Sequence, residues 1–133
     1  FDDARGGIMG SPGLLGLAAM EAAFRYGDEW LEQVLDYIKK NVDYALAFFQ
    51  ERIPEIKPME PEGTYLIWLD CTKLELSAEE LKAFFIEEAK VGLNDGSAFG
   101  AGGEGFMRLN VGCPRSILAE GLSRIERAIK RQR

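Results

Sequence analysis

VGLNDGSAFGAGGEGFMRLNVGCP, residues 91–114 of the chain, gathers six of its fifteen glycines between Gly92 and Gly105 and then runs into an apolar segment carrying one arginine, Arg108. In Phe106-Met107-Arg108-Leu109-Asn110-Val111 a period of two sends Met107, Leu109 and Val111 to one face of a strand and Phe106, Arg108 and Asn110 to the other. A guanidinium therefore projects from a strand beside a glycine loop. Arginine keeps its charge at neutral pH and presents a rigid planar fork of donors, which suits it to capturing a carboxylate or a phosphate. The other reading of a strand arginine is a stem laid over apolar surface, or half of a structural ion pair.

Outward from this stretch the chain alternates strands and helices. Pro54, Pro58, Pro61 and Gly63 mark a turn-rich entry into a strand at 64–70, where Tyr65, Ile67 and Leu69 alternate with Leu66 and Trp68. Ser77-Ala78-Glu79-Glu80 is a capping box, so a helix starts there, with Leu81, Phe84 and Phe85 as its apolar face and an end near Lys90. Residues 91–94 form a short strand before the glycine loop. A last helix begins near Pro114 on a stripe of Leu118, Leu122, Ile125 and Ile129.

Upstream the pattern is helical throughout. Ser11-Pro12 starts a helix reaching Tyr26 whose composition is apolar nearly all round, which implies burial on more than one side and a partner outside this stretch, either more of the parent chain or another subunit. Gly27 breaks it and Asp28 caps a second helix extending to about Arg52, with Leu31, Val34, Leu35, Ile38, Val42, Ala45, Leu46 and Phe49 on one stripe. The expected fold class is α+β, a short sheet covered by helices and preceded by a long linking helix. The boundary falls inside or just after that helix, giving a joining segment at 1–52 and a small domain at 53–133.

Composition removes several classes of function. The chain has 133 residues, 47% hydrophobic and 29% charged, enough for one ordinary domain or a large piece of one. A net charge of -6 argues against a nucleic-acid partner, and the basic run Arg124, Arg127, Lys130, Arg131 and Arg133 is expected to complement a helix C-terminus. With no histidine, imidazole zinc sites and Ser-His triads are excluded, and no metal site is expected. Cys71 and Cys113 are expected as free thiols, no segment suits a membrane span, and a cytoplasmic protein is the default. The start at Phe1 reads as the middle or end of a longer protein.

Other motifs have plainer explanations. Gly100-Ala101-Gly102-Gly103-Glu104-Gly105 matches a dinucleotide fingerprint by letter, but that motif needs a following helix N-terminus and here a strand follows. Asn94-Asp95-Gly96 is turn chemistry, the pairs Glu79/Glu80 and Glu87/Glu88 are solvated, and Cys113 is a half-buried structural thiol.

Taken together, Glu62-Gly63-Thr64-Tyr65-Leu66-Ile67-Trp68-Leu69-Asp70, Val91-Gly92-Leu93-Asn94-Asp95-Gly96, Phe99-Gly100 and the block from Gly105 to Ser116 resemble a known pattern. It is that of the C-terminal part of fold type I pyridoxal-phosphate enzymes of aminotransferase class I/II, the MalY/PatB-type cystathionine β-lyases or C-S lyases. Ala22-Ala23-Phe24, Gly27, Trp30-Leu31 and Tyr37 through Asn41 are similar to the helices that join the large domain to the small one. The resemblance implies that Arg108 grips the α-carboxylate of an amino-acid substrate, that Asn94 through Phe99 form part of the active-site mouth, and that the full-length protein is a homodimer using pyridoxal 5'-phosphate. The segment at Met9 to Gly13 would approach the partner's active site.

It also implies that the Schiff-base lysine and the groups holding the cofactor lie upstream, so that no catalytic or cofactor-binding residue is expected in this fragment. Lys39, Lys40, Lys57, Lys73, Lys82, Lys90 and Lys130 stand in the wrong contexts to replace that lysine. The implied reaction is α,β-elimination from cystathionine or a cysteine S-conjugate. The alternatives are an aminotransferase on the same scaffold and a non-catalytic interaction or regulatory module.

Overall fold

The computed structural model describes residues 13–132. The chain divides into two units between Asp36 and Tyr37, inside the long helix. In the first unit, α1 (Leu14–Tyr26) follows Gly13 and ends at Gly27, whose N–H donates to the Ala23 carbonyl at 2.8 Å. The expected Ser11-Pro12 helix start lies outside the described residues. No residue of α1 is buried, and Leu14, Leu15 and Phe24 are each more than four-fifths exposed, which is unusual for such apolar side chains.

α2 (Asp28–Arg52) runs for 25 residues, about 37 Å at 1.5 Å per residue. Its last four turns belong to the second unit, where Asn41, Val42, Ala45, Phe48 and Phe49 are buried. The stripe read from sequence continues upstream through Leu31 and Leu35, yet both are exposed. Periodicity marks a face; what covers that face is set by the rest of the fold.

The second unit is built on a four-stranded antiparallel sheet in the order β1 (Lys57–Pro58), β2 (Leu66–Asp70), β4 (Phe106–Asn110), β3 (Asn94–Asp95). Alternation holds as read. Ile67, Leu69, Met107 and Leu109 are buried, and Leu66, Trp68, Phe106 and Arg108 are half-buried on the opposite face. The short β1 was not legible, because a strand of two residues, one of them Pro58, leaves no periodic trace.

Helices α3 (Ala78–Ala83) and α4 (Arg115–Gln132) complete the unit, and one buried cluster joins them to the sheet and α2. Leu81, Phe84 and Phe85 from the first segment and Leu118, Leu122, Ile125 and Ile129 from α4 all reach it. α3 continues as a single π-turn over Phe84–Glu88, widening the backbone where Phe84 and Phe85 pack edge-to-face at 5.1 Å. Arg131 and Arg124 donate to the Glu88 and Lys90 carbonyls at 2.9 and 3.4 Å, so the basic face of α4 serves the end of this neighbouring segment.

The capping box forms as expected: the Ser77 hydroxyl accepts from the Glu80 N–H at 3.3 Å, and the Ser77 N–H donates to Glu80 Oε2 at 2.9 Å. So short a helix has little else to start it. Ser77→Ala should cost about 1 kcal/mol, read as a lower urea-unfolding midpoint at unchanged slope.

Glu126 is buried on α4, where its carboxylate accepts from Lys130 at 2.6 Å and lies 3.4 Å from Arg52. The hydrogen bond from Lys130, ahead of the charges around it, holds the carboxyl below its ordinary 4.5. A depressed carboxyl pKa gives stability that is present above the unfolded value and is lost as pH falls through the folded one. The stability advantage of the native protein over Glu126→Gln should therefore shrink as unfolding is measured from pH 6 down through the acid range below 4.5; a constant difference would show that the charge contributes nothing.

Candidate functional site

Arg108 stands at the centre of the sheet's outer face. β2 and β4 pair Trp68 opposite Arg108, and β3 and β4 pair Asn94 opposite it, so Trp68, Arg108 and Asn94 form one row across three strands. The Arg108 Nη2 donates to Asn94 Oδ1 at 3.1 Å. The guanidinium carbon lies 4.4 Å from the centroid of the Phe99 ring, and Phe99 meets Trp68 edge-on at 5.4 Å and 86°.

The glycine loop brings Phe99 there. Asp95 accepts from the Ser97 N–H at 2.9 Å and starts a 3-10 turn over Gly96–Phe99. The chain then doubles back so closely that a Cβ on Gly103 would sit 2.0 Å from the Gly96 carbonyl oxygen. Any side chain at Gly103 would force the two passes apart. The segment Gly100 to Gly105 ends in β4 with no helix N-terminus after it, which leaves the dinucleotide fingerprint without its context.

Among the described residues no carboxylate pairs with Arg108, although the chain carries 22 acidic residues. Its Nε is buried without a hydrogen-bond partner. With Nε buried and one Nη2 proton on Asn94, the guanidinium keeps further donors on its two terminal nitrogens. The Phe99 ring that meets the guanidinium also lines, with Met59, Trp68, Phe106 and the glycine loop, a cavity of about 300 Å³ that Arg108 itself does not line.

Of the three residues expected at the site, Arg108, Asn94 and Phe99, all come together. The segment at 9–12 lies outside the described residues. The lysines at 39, 40, 57, 73, 82, 90 and 130 are all exposed and none lines the cavity that Phe99 lines. Cys71 is buried, which pushes its thiol up to about 12, with a smaller contribution from Asp70, so it is no nucleophile. Cys113 is half-buried and free, as read.

Sequence reading missed a buried polar cluster behind β4. The side-chain N–H groups of Asn41 donate to the Val111 and Cys113 carbonyls at 2.8 Å each, and its oxygen accepts from Arg115 Nε at 2.7 Å. Arg115 also stacks over Tyr44 at 4.6 Å, and its backbone N–H donates to the Tyr37 hydroxyl at 2.7 Å. The signal was present: Asn41 is a polar residue one step before Val42 on an otherwise apolar face.

No family model matches the chain. In structure it is similar to cystalysin from Treponema denticola, solved with a pyridoxal 5'-phosphate cofactor, with a TM-score of 0.94 and 34% identity over 98% of this chain and 34% of that one. The class is thereby defined: this is the C-terminal part of a fold type I pyridoxal-phosphate enzyme. It is 42% identical over 121 residues to the cystathionine β-lyase PatB of Bacillus subtilis strain 168, covering 91% of this chain and 31% of that protein. Against protein MalY of Escherichia coli K12 the identity is 38% over 122 residues, covering 92% and 31%. Within the class the chain is similar to these MalY/PatB-type proteins, and it spans about a third of the length of these curated relatives.

Proposed function

We propose that this chain is the substrate-carboxylate-binding part of a pyridoxal-phosphate-dependent C-S lyase that catalyses α,β-elimination from cystathionine or cysteine S-conjugates. One observation carries the role of Arg108. It is a guanidinium held between Asn94 and Phe99 on the outer face of the sheet, with no acidic partner among the described residues. The relatives named above support the chemistry assigned to the longer protein.

In this reading the Nη1–Nη2 fork takes the α-carboxylate, which fixes the amino acid at one end and leaves rotation about Cα to be set by its other groups. Asn94 and Phe99 sit at the mouth and keep the fork from swinging away. Pyridoxal phosphate, held by the rest of the longer protein, supplies the electron sink for the carbon left when Cα loses its proton. This chain alone should not turn over, because its exposed lysines cannot take the place of the upstream one.

The full-length protein is read as a cytoplasmic homodimer. Among the described residues no helix is long and apolar enough to cross a membrane. The exposed apolar surface of α1 calls for cover from the rest of the longer chain or from a second copy. The decisive assay follows pyruvate release from cystathionine by the full-length protein. Keto-acid-dependent transamination without pyruvate would reject the lyase in favour of an aminotransferase, and no turnover of either kind would favour a non-catalytic module.

A further inference from the structure

We infer that Trp68 is a positioning residue for the substrate carboxylate, acting through Phe99 on Arg108. This role rests on the carboxylate-binding reading of Arg108 and extends it to a side chain two contacts away.

An arginine on a strand has its backbone fixed and its long stem free. The bond to Asn94 Oδ1 restrains one nitrogen, but a single hydrogen bond leaves the guanidinium able to turn about that nitrogen. Its plane is set by the ring it lies against, the Phe99 ring at 4.4 Å. Phe99 is a weak support by itself, for it is 53% exposed at the end of a 3-10 turn and Gly100 follows it at a φ of 115°. The rigid element is Trp68. It is borne on β2, directly across from Arg108, and its indole meets the Phe99 ring edge-on at 5.4 Å. Removing that edge lets Phe99 rotate, and the fork then loses the plane in which both carboxylate oxygens are met at once.

The test uses the full-length holoenzyme and compares the equilibrium affinity for L-alanine with that for L-alaninamide, which lacks the carboxylate. The ratio reports the carboxylate grip and leaves turnover aside. Arg108→Ala should cut the preference for the acid by about 100-fold, since two charge-assisted hydrogen bonds are lost. Trp68→Ala should cut it by about tenfold through loss of preorganisation, while Trp68→Phe, which retains an aromatic edge, should keep most of it. Phe99→Leu, at an exposed loop position, should match Trp68→Ala and serves if that variant does not fold. In the Arg108→Ala background, Trp68→Ala should do nothing further.

An unchanged ratio in both Trp68→Ala and Phe99→Leu, with Arg108→Ala still losing the preference, would overturn the positioning role and leave the carboxylate reading standing. So would a further loss on adding Trp68→Ala to Arg108→Ala. If Arg108→Ala keeps the preference, the carboxylate reading and the role of Trp68 both fall.

Discussion

Arg108→Lys in the full-length protein lowers kcat/KM for the amino-acid substrate by about 100-fold, a loss of about 2.7 kcal/mol in transition-state stabilisation. Charge is conserved in this exchange, so the loss measures geometry. A guanidinium presents two parallel N–H groups to a carboxylate; an ammonium presents one point of contact on a stem that turns freely. Lysine also forfeits the flat face that lies on Phe99 and the donor that reaches Asn94 Oδ1.

Both kcat and KM should change, because a carboxylate held by one contact binds more weakly and also leaves Cα less well aligned. Bound cofactor, read from its own absorbance, should be unchanged, since the role proposed for Arg108 is toward the substrate. A kcat/KM within threefold of the parent would remove Arg108 from the site and with it the enzyme reading of this face. A non-catalytic module would give that result.

Much of the site could be read from residue order because it depends on short-range rules. Period-two alternation put Arg108 and Phe106 opposite Met107 and Leu109, and the sheet keeps that division. The capping box at Ser77 and the stripe on α4 are equally local, and both form. What could not be read are relations between distant segments. Nothing in the order of residues sets Trp68 across from Arg108; the register of β2 against β4 does. The exposure of Leu31 and Leu35, on the same stripe as buried Val42 and Phe49, shows the same limit from the other side.

The network around Asn41 is the longest-range case and carries the second large prediction. Asn41→Ala should destabilise the protein by about 3 kcal/mol, because it strands several buried polar groups at about 1–3 kcal/mol each, and half-buried ones recover part of the loss by taking water. The groups are the Val111 and Cys113 carbonyls and the Nε of Arg115. With a urea slope of about 1.5 kcal/mol per M, the midpoint should fall by about 2 M. Asn41→Leu should do no better, since filling the volume leaves the same carbonyls unmet.

Asn41→Asp separates hydrogen bonding from packing. It keeps shape and the acceptor for Arg115 but turns a carboxylate oxygen toward two carbonyls, so it should be at least as harmful as alanine at pH 7 and recover as the pH falls and the carboxyl gains a proton. If all three variants unfold within 1 kcal/mol of the parent, the network is not what fixes this junction. The consequence reaches the site, because Val111 follows the last residue of β4, two positions beyond Leu109 and three beyond Arg108. A strand whose end is pinned to a buried asparagine cannot slide past β2, and a slip of one residue would turn Arg108 into the core.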